Sequence, residues 1–342
     1  MKDPMKRGRG IPTALIASFL LVTGGGASAA APGGFPVTVE NCGRQLTFDR
    51  PPQRAITGYP NTIEMMLALD LEDRIVARQG FPQSPLLPDQ EAAFNAIPEI
   101  SSGESGDQTA TKEVTLSLEP DFFFAGGSYN VDGARGLATE EDLEANGAQV
   151  FYMACTAHGT SNSLGEDDPR PTIEVVYNRI EDIGKIFGVP DRAEALIAQI
   201  RAEIAAVQER VEGLPEPPVF VYAGDYLGPE GPLPGQSDRY FDVGLAGGMD
   251  VLGADRPEFT DVSKEAVAAF NPEVILTANY ATGPIEEEAS KNEEYLRRTF
   301  PNAPAVTNDR IVGMESIDFT PGIRNVRAVR QAAEAFHPEA FE

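Results

Sequence analysis

A fifteen-residue segment occurs twice in this chain, at a constant offset of 152 residues. The first copy runs Lys112-Glu113-Val114-Thr115-Leu116-Ser117-Leu118-Glu119-Pro120-Asp121-Phe122-Phe123-Phe124-Ala125-Gly126. The second runs Lys264-Glu265-Ala266-Val267-Ala268-Ala269-Phe270-Asn271-Pro272-Glu273-Val274-Ile275-Leu276-Thr277-Ala278. Lysine, glutamate, proline and the acid after the proline recur in step. Each copy reads as a short helix, a Pro-acid turn and an apolar run. Proline stops the helix because it lacks an N–H and crowds the preceding turn, and the apolar run suits a buried parallel strand. A chain that builds one such unit twice, half its length apart, is expected to fold as two like lobes with a cleft between them.

The amino terminus stands outside this plan. Lys2, Lys6, Arg7 and Arg9 precede the apolar run Thr13 to Val22, and Ala27-Ser28-Ala29 follows as an A-x-A cleavage site. Residues 1–31 therefore read as a secretory signal peptide, too short in its apolar part for a membrane span. No cysteine lies near the cleavage site, so no lipid anchor is expected, and the mature chain is placed in the periplasm. Removing these residues takes a net +3 from a chain of formal charge −26, leaving −29. Such an acidic chain offers no basic face to a phosphate backbone, which argues against nucleic acid as a partner. In an oxidising compartment the two cysteines, Cys42 and Cys155, are expected to pair, tying the first mature strand to the strand Val150–Ala154. Closing so long a loop stabilises by about 4–5 kcal/mol in the chain-entropy model. Two buried thiols are the alternative.

Strands alternate with helices from Arg54 to Ala154, giving an α/β lobe with a mostly parallel sheet. The helix Asn61–Leu69 takes Asn61 or Thr62 as its expected cap. From Thr172 to Phe187, Ile173, Val176, Tyr177, Ile180, Ile183 and Phe187 recur at helical spacing. Gly188 ends that helix and Asp191 opens another. The expected division is 32–171 for the first lobe, 172–189 for an interdomain helix and 190–342 for the second lobe.

Ligands of open α/β sheets collect beyond the carboxyl ends of the strands. Those ends are expected to carry Tyr59, Tyr129, His158, Tyr226 and Tyr280, with Arg239 and Tyr240 at the start of a second-lobe helix. Five of nine tyrosines thus fall near the expected cleft, where rings with a polar tip suit a bulky, partly wet ligand. The alternative is that each merely covers the core. Nucleophile-elbow, P-loop, dinucleotide and zinc-protease motifs are all missing, and two histidines supply little metal-binding or acid–base chemistry. No enzyme, resident cofactor or metal site is expected.

Three stretches carry a family resemblance: Pro52-Gln53-Arg54-Ala55-Ile56 leading to Thr62-Ile63-Glu64-Met65-Met66-Leu67-Ala68-Leu69, the two repeat copies, and the tail Phe336-His337-Pro338-Glu339-Ala340-Phe341. Together they resemble the class III periplasmic solute-binding proteins of ABC importers for ferric siderophores, haem and vitamin B12. The resemblance implies two Rossmann-like α/β lobes joined by a long interdomain helix, limited hinge motion, and a monomer that delivers its small-molecule cargo to a membrane permease. It also implies permease-docking roles for Glu113 and Glu265. Each acid opens a short helix, where the helix dipole favours negative charge. Departures at Gly58-Tyr59-Pro60-Asn61 and Leu69-Asp70 alter a cleft wall, and the absence of tryptophan removes a stacking group. A ferric siderophore is the expected cargo. Haem held by a tyrosine or His158, and cobalamin, are the alternatives; an exported enzyme and an adhesive surface protein are the readings from other classes.

Overall fold

The computed structural model describes residues 34–79, 87–101, 109–155, 172–224, 233–236, 242–253, 259–279 and 285–342. It opens with an antiparallel hairpin, β1 (Val37–Asn41) and β2 (Arg44–Phe48), whose buried and exposed residues alternate along each strand. Cys42 sits in the hairpin turn and is bonded to Cys155, just beyond the fourth strand of the sheet beneath, with 5.2 Å between the Cα atoms. The neighbouring Asn41 makes a second fastening. Its side chain donates to the Tyr152 carbonyl at 2.9 Å and accepts from the Tyr152 N–H at 2.8 Å.

There follow β3 (Ala55–Thr57), α1 (Pro60–Ala68), β4 (Ile75–Arg78), α2 (Glu91–Ala96), α3 (Lys112–Ser117), β5 (Phe122–Ala125), α4 (Glu140–Ala145) and β6 (Gln149–Tyr152). The strands form a parallel sheet in the order β4-β3-β5-β6. β3 and β5 lie at its centre, buried throughout, which is why they read as unbroken short runs rather than alternating ones. The cap expected at Asn61 or Thr62 falls instead at Tyr59. Pro60 lacks an N–H and so fits the first helical position. The Thr62 hydroxyl accepts from the Tyr59 N–H at 3.2 Å and donates to its carbonyl at 2.7 Å.

Two antiparallel helices come next, α5 (Thr172–Phe187) and α6 (Pro190–Val211), separated by Gly188 at φ +70°. The sequence reading gives the connection to 172–189. In the packing, Val176, Ile180 and Ile183 of α5 join Phe122 and Phe151 in the first-lobe core. α6 makes the crossing: Ala193, Ile200 and Ile204 lie in that same core, while Val207 and Val211 lie in the next one. Its apolar stripe divides between two cores because its 22 residues span about 33 Å, the width of a small domain.

The second lobe holds β7 (Pro218–Tyr222), β8 (Leu233–Gln236), β9 (Met249–Asp250), β10 (Phe259–Val262), α7 (Lys264–Phe270), β11 (Val274–Asn279), α8 (Ile285–Thr299), α9 (Pro304–Thr307), β12 (Ile311–Glu315), α10 (Ser316–Phe319) and α11 (Asn325–Phe336). Its sheet runs β10-β8-β7-β11-β12, with β9 also paired to β7. β7, β9, β11 and β12 run parallel, β8 runs against β7, and β10, antiparallel to β8, runs in the direction of β7 again. The fold is thus α/β with two Rossmann-like lobes.

The repeat is visible in three dimensions. Thr111 and Ser263, one residue before each copy, cap α3 and α7 by accepting from the Val114 and Ala266 N–H groups. Glu119 and Asn271 both turn into the left-handed region, at φ 47° and 52°. Asp121 and Glu273 then donate their N–H groups to Arg54 and Pro218, one residue before the first strand of their lobe or at its start. Among the described residues no helix is long and apolar enough to cross a membrane.

Candidate functional site

In each sheet the segments beyond the parallel strands are held by buried amides. In the first lobe Asn130, 2% exposed, accepts from the Gly126 N–H at 2.8 Å and donates to the Gly58 carbonyl at 2.8 Å. Its amide also lies 3.3 Å from Gln79 Oε1. One side chain therefore clips together the segments leaving β3, β4 and β5. Against this clip stand Tyr59 and Tyr129, their rings edge to face with centroids 5.6 Å apart. A β-carbon on Gly126 would lie 2.2 Å from Tyr129 Oη and 2.7 Å from Tyr59 Cβ, so the pair seats only over a glycine. The Tyr129 hydroxyl is buried with no hydrogen-bond partner among the described residues. Burial pushes its ionisation well above the ordinary phenol range.

In the second lobe the corresponding amide is Asn279 at the end of β11. It donates to the Met314 carbonyl at 3.1 Å and accepts from Asn292 at 2.8 Å. Beside it a recess of about 290 Å³ is lined by Asn279, Met314, Glu315, Asp318, Arg327 and Gln331 among others. Gly224, after β7, lies at φ +72°, and a β-carbon there would meet the Ala278 carbonyl at 2.6 Å.

Between the lobes lies a buried cluster of charge. Glu64 on α1 is 0% exposed and Arg324, just before α11, is 2% exposed. Arg324 Nε donates to both Glu64 carboxylate oxygens at 2.9 and 2.8 Å, and its Nη2 also reaches Oε1. Nη1 donates to Glu315 at 3.0 Å, while Arg327 donates to Asp318 at 2.6 Å. Burial pushes the Glu64, Glu315 and Asp318 carboxyls above the usual carboxylate range, against the pull of the two guanidiniums. The sequence reading assigns these residues no role. Its one signal is Glu64 itself, an acid set among Ile63, Met65, Met66 and Leu67, which requires a buried cation.

Of the residues expected to line the cleft, Tyr59 and Tyr129 come together as described. His158, Tyr226, Arg239, Tyr240 and Tyr280 lie outside the described residues. Glu113 and Glu265 occupy the same place in α3 and α7, two residues past the cap, and both are exposed. Among the described residues neither has an ion-pair partner. The lysine beside each is drawn elsewhere: Lys112 to Asp142 at 2.7 Å, Lys264 to the ring of Tyr295 at 5.6 Å. A larger cavity of about 690 Å³ is lined by the far end of α1, α6 and α11. It shares Arg327 with the second-lobe recess and is lined by no strand-end residue.

A family model described as periplasmic binding protein matches residues 56–317. An uncharacterized ABC transporter substrate-binding lipoprotein, YvrC of Bacillus subtilis, is 22% identical over 99% of this chain and 100% of its own length. A periplasmic binding protein from Veillonella parvula superposes with a TM-score of 0.72 at 21% identity, covering 88% of this chain and 97% of that one. The structure from an ABC-type Fe3+-hydroxamate transport system of Saccharomonospora viridis gives 0.69 at 26% identity, covering 88% and 99%. With that match and two α/β lobes, the chain belongs to the periplasmic binding protein family, class III, as a transport-associated substrate-binding component of an ABC transporter rather than an enzyme.

Proposed function

We propose that the protein captures a ferric siderophore in the cleft and hands it to a membrane permease. The observation that carries this is the Tyr59–Tyr129 pair over Gly126, an aromatic wall at the strand ends. The Saccharomonospora viridis relative, named for Fe3+-hydroxamate transport, supports the same cargo class. Tyr226, Arg239, Tyr240, Tyr280 and His158 complete the proposed contact set, with Arg239 as the anion contact. The iron chelate is cargo, and no resident cofactor or metal is invoked.

Titration of tyrosine fluorescence and native mass spectrometry with ferric hydroxamates, ferric catecholates, haem and cobalamin test the cargo. A ferric chelate bound at about micromolar Kd or tighter, and weakened in Y59A, is the expected result. Haem, seen as a Soret band, or cobalamin binding at that strength while no chelate binds would overturn it.

Glu113 and Glu265 are the proposed permease contacts, with rim charges setting orientation and on-rate. The double variant E113K/E265K is expected to keep ligand affinity and lose uptake; unchanged uptake removes the assignment. Export as a periplasmic monomer after removal of residues 1–31, without lipid, completes the reading. The mass of the mature chain and its light scattering check both points.

A further inference from the structure

We propose that Glu64 and Arg324 are the positioning residues of the ligand cleft, setting the distance at which its two walls face each other. This rests on the reading of the cleft as the ligand site. The pair joins segments 260 residues apart in the chain, one from each lobe. On one side Tyr59 caps α1, so Glu64 lies little more than one turn along the helix from the aromatic wall. On the other, Arg324 binds Glu315, the last residue of β12, which lies opposite Asn279 in the sheet register. A series of covalent bonds and charge-assisted hydrogen bonds thus runs from Tyr59 through Glu64 and Arg324 to Glu315, and the pairing of β12 with β11 carries it on to Asn279, the residue preceding Tyr280.

Three features make this a fixed strut rather than an incidental contact. The guanidinium meets the carboxylate side-on through two nitrogens, which fixes angle as well as distance. Both side chains are almost wholly buried, so water cannot replace either partner. A second bond lies alongside: Asn61 donates to the Pro321 carbonyl at 2.7 Å, and a β-carbon on Gly322 would stand 3.0 Å from Asn61 Cβ. Two backbones are therefore held in close approach by directional bonds. A hydrophobic contact of equal area would allow them to slide.

Spin labels on two exposed helix positions, introduced as E141C and E294C, report the lobe separation without any ligand. In the otherwise unchanged protein a single narrow distance is expected. In E64Q, which keeps volume but removes charge, and in R324K, which keeps charge but removes the side-on geometry, the distribution is expected to shift or broaden while circular dichroism stays native. Should E64Q fail to fold, E64M/R324M keeps the bulk of both side chains and removes only charge and direction; a broadened distribution is expected there too. A narrow, unmoved distance in the folded variants would overturn the proposal. Where the ligand is a ferric chelate from the panel above, its dissociation is expected to quicken by about tenfold in E64Q, with little change in association. Binding with unaltered kinetics in variants of altered distance would also overturn the positioning role, leaving the cargo assignment untouched. A panel that yields no ligand would count against the cargo while the distance measurement still decides the strut.

Discussion

The two copies of the repeat use the same backbone and different side-chain tethers. Cap, left-handed residue, proline and the N–H bond to the first strand recur at the fixed offset, so α3 and α7 lead into β5 and β11 alike. The lysine beside each exposed glutamate is restrained by an aspartate in one lobe and an aromatic ring in the other. Strand ends are clipped by Asn130 in the first lobe and by Asn279 in the second, from different places in their loops. What repeats is whatever fixes the position of the glutamate, and what differs is how its neighbours are kept from neutralising it. Position is set by a few dihedral angles, whereas a tether has many chemical solutions.

The largest expected break in this comparison is the disulfide, which only the first lobe has. C42S/C155S should lower stability by about 4–5 kcal/mol in urea, with hydrogen exchange rising first in β1, β2 and β6. Protection lost first in β11 and β12 would contradict it.

Next come the two strand-end glycines. Gly224→Ala sets a side chain at positive φ against a backbone carbonyl and should cost about 2–5 kcal/mol. Gly126→Ala meets the movable tip of Tyr129 together with the Cβ of Tyr59, which shifts only with its backbone. It should cost about 1–3 kcal/mol while displacing the aromatic pair, so binding suffers more than melting temperature. Equal losses of stability would show that the first-lobe wall is as rigid as the second.

Smaller effects belong to the repeat itself. Glycine relieves a glutamate in the left-handed region more than an asparagine, which tolerates it. Glu119→Gly should therefore gain more than Asn271→Gly, by about 0.5–1 kcal/mol; the reverse order would mean that the turns are not equivalent.

The smallest effect is in acid. Lys112 and the capping bonds of Thr139 hold Asp142 down from the usual 3.8 to about 2. A carboxyl lowered by folding contributes stability that is whole above its unfolded value and lost as pH falls through the folded one. Carbon-detected titration of Asp142 should thus show a midpoint near 2, and Asp142→Asn should remove only the acid-side dependence between about 4 and 2.

Much of the fold was legible because its punctuation is local. Pro120 and Pro272, the short apolar runs after them, Gly188 and the 3.6-residue period of α5 each act within one turn or strand. α6 as the crossing element was not, because a helical stripe shows that a face is buried without showing against which core. Tyr59 and Tyr129 were legible as strand-end residues, but their union depends on Gly126, whose lack of a side chain leaves no mark in a pattern of apolar and polar positions. Asn130 and the Glu64–Arg324 pair were missed for a shared reason. Their partners are backbone groups or distant residues, and a single sequence gives no measure of such distances.

The reach of the Glu64–Arg324 bond also bears on how the chain comes to be folded at all. A carboxylate that must be dry in the finished protein has no cation to meet until a residue 260 positions later has been made and delivered. Until then, completing the first lobe would strand an uncompensated charge in its interior. The earlier half is thereby kept from locking until the later half has been made and has docked against it.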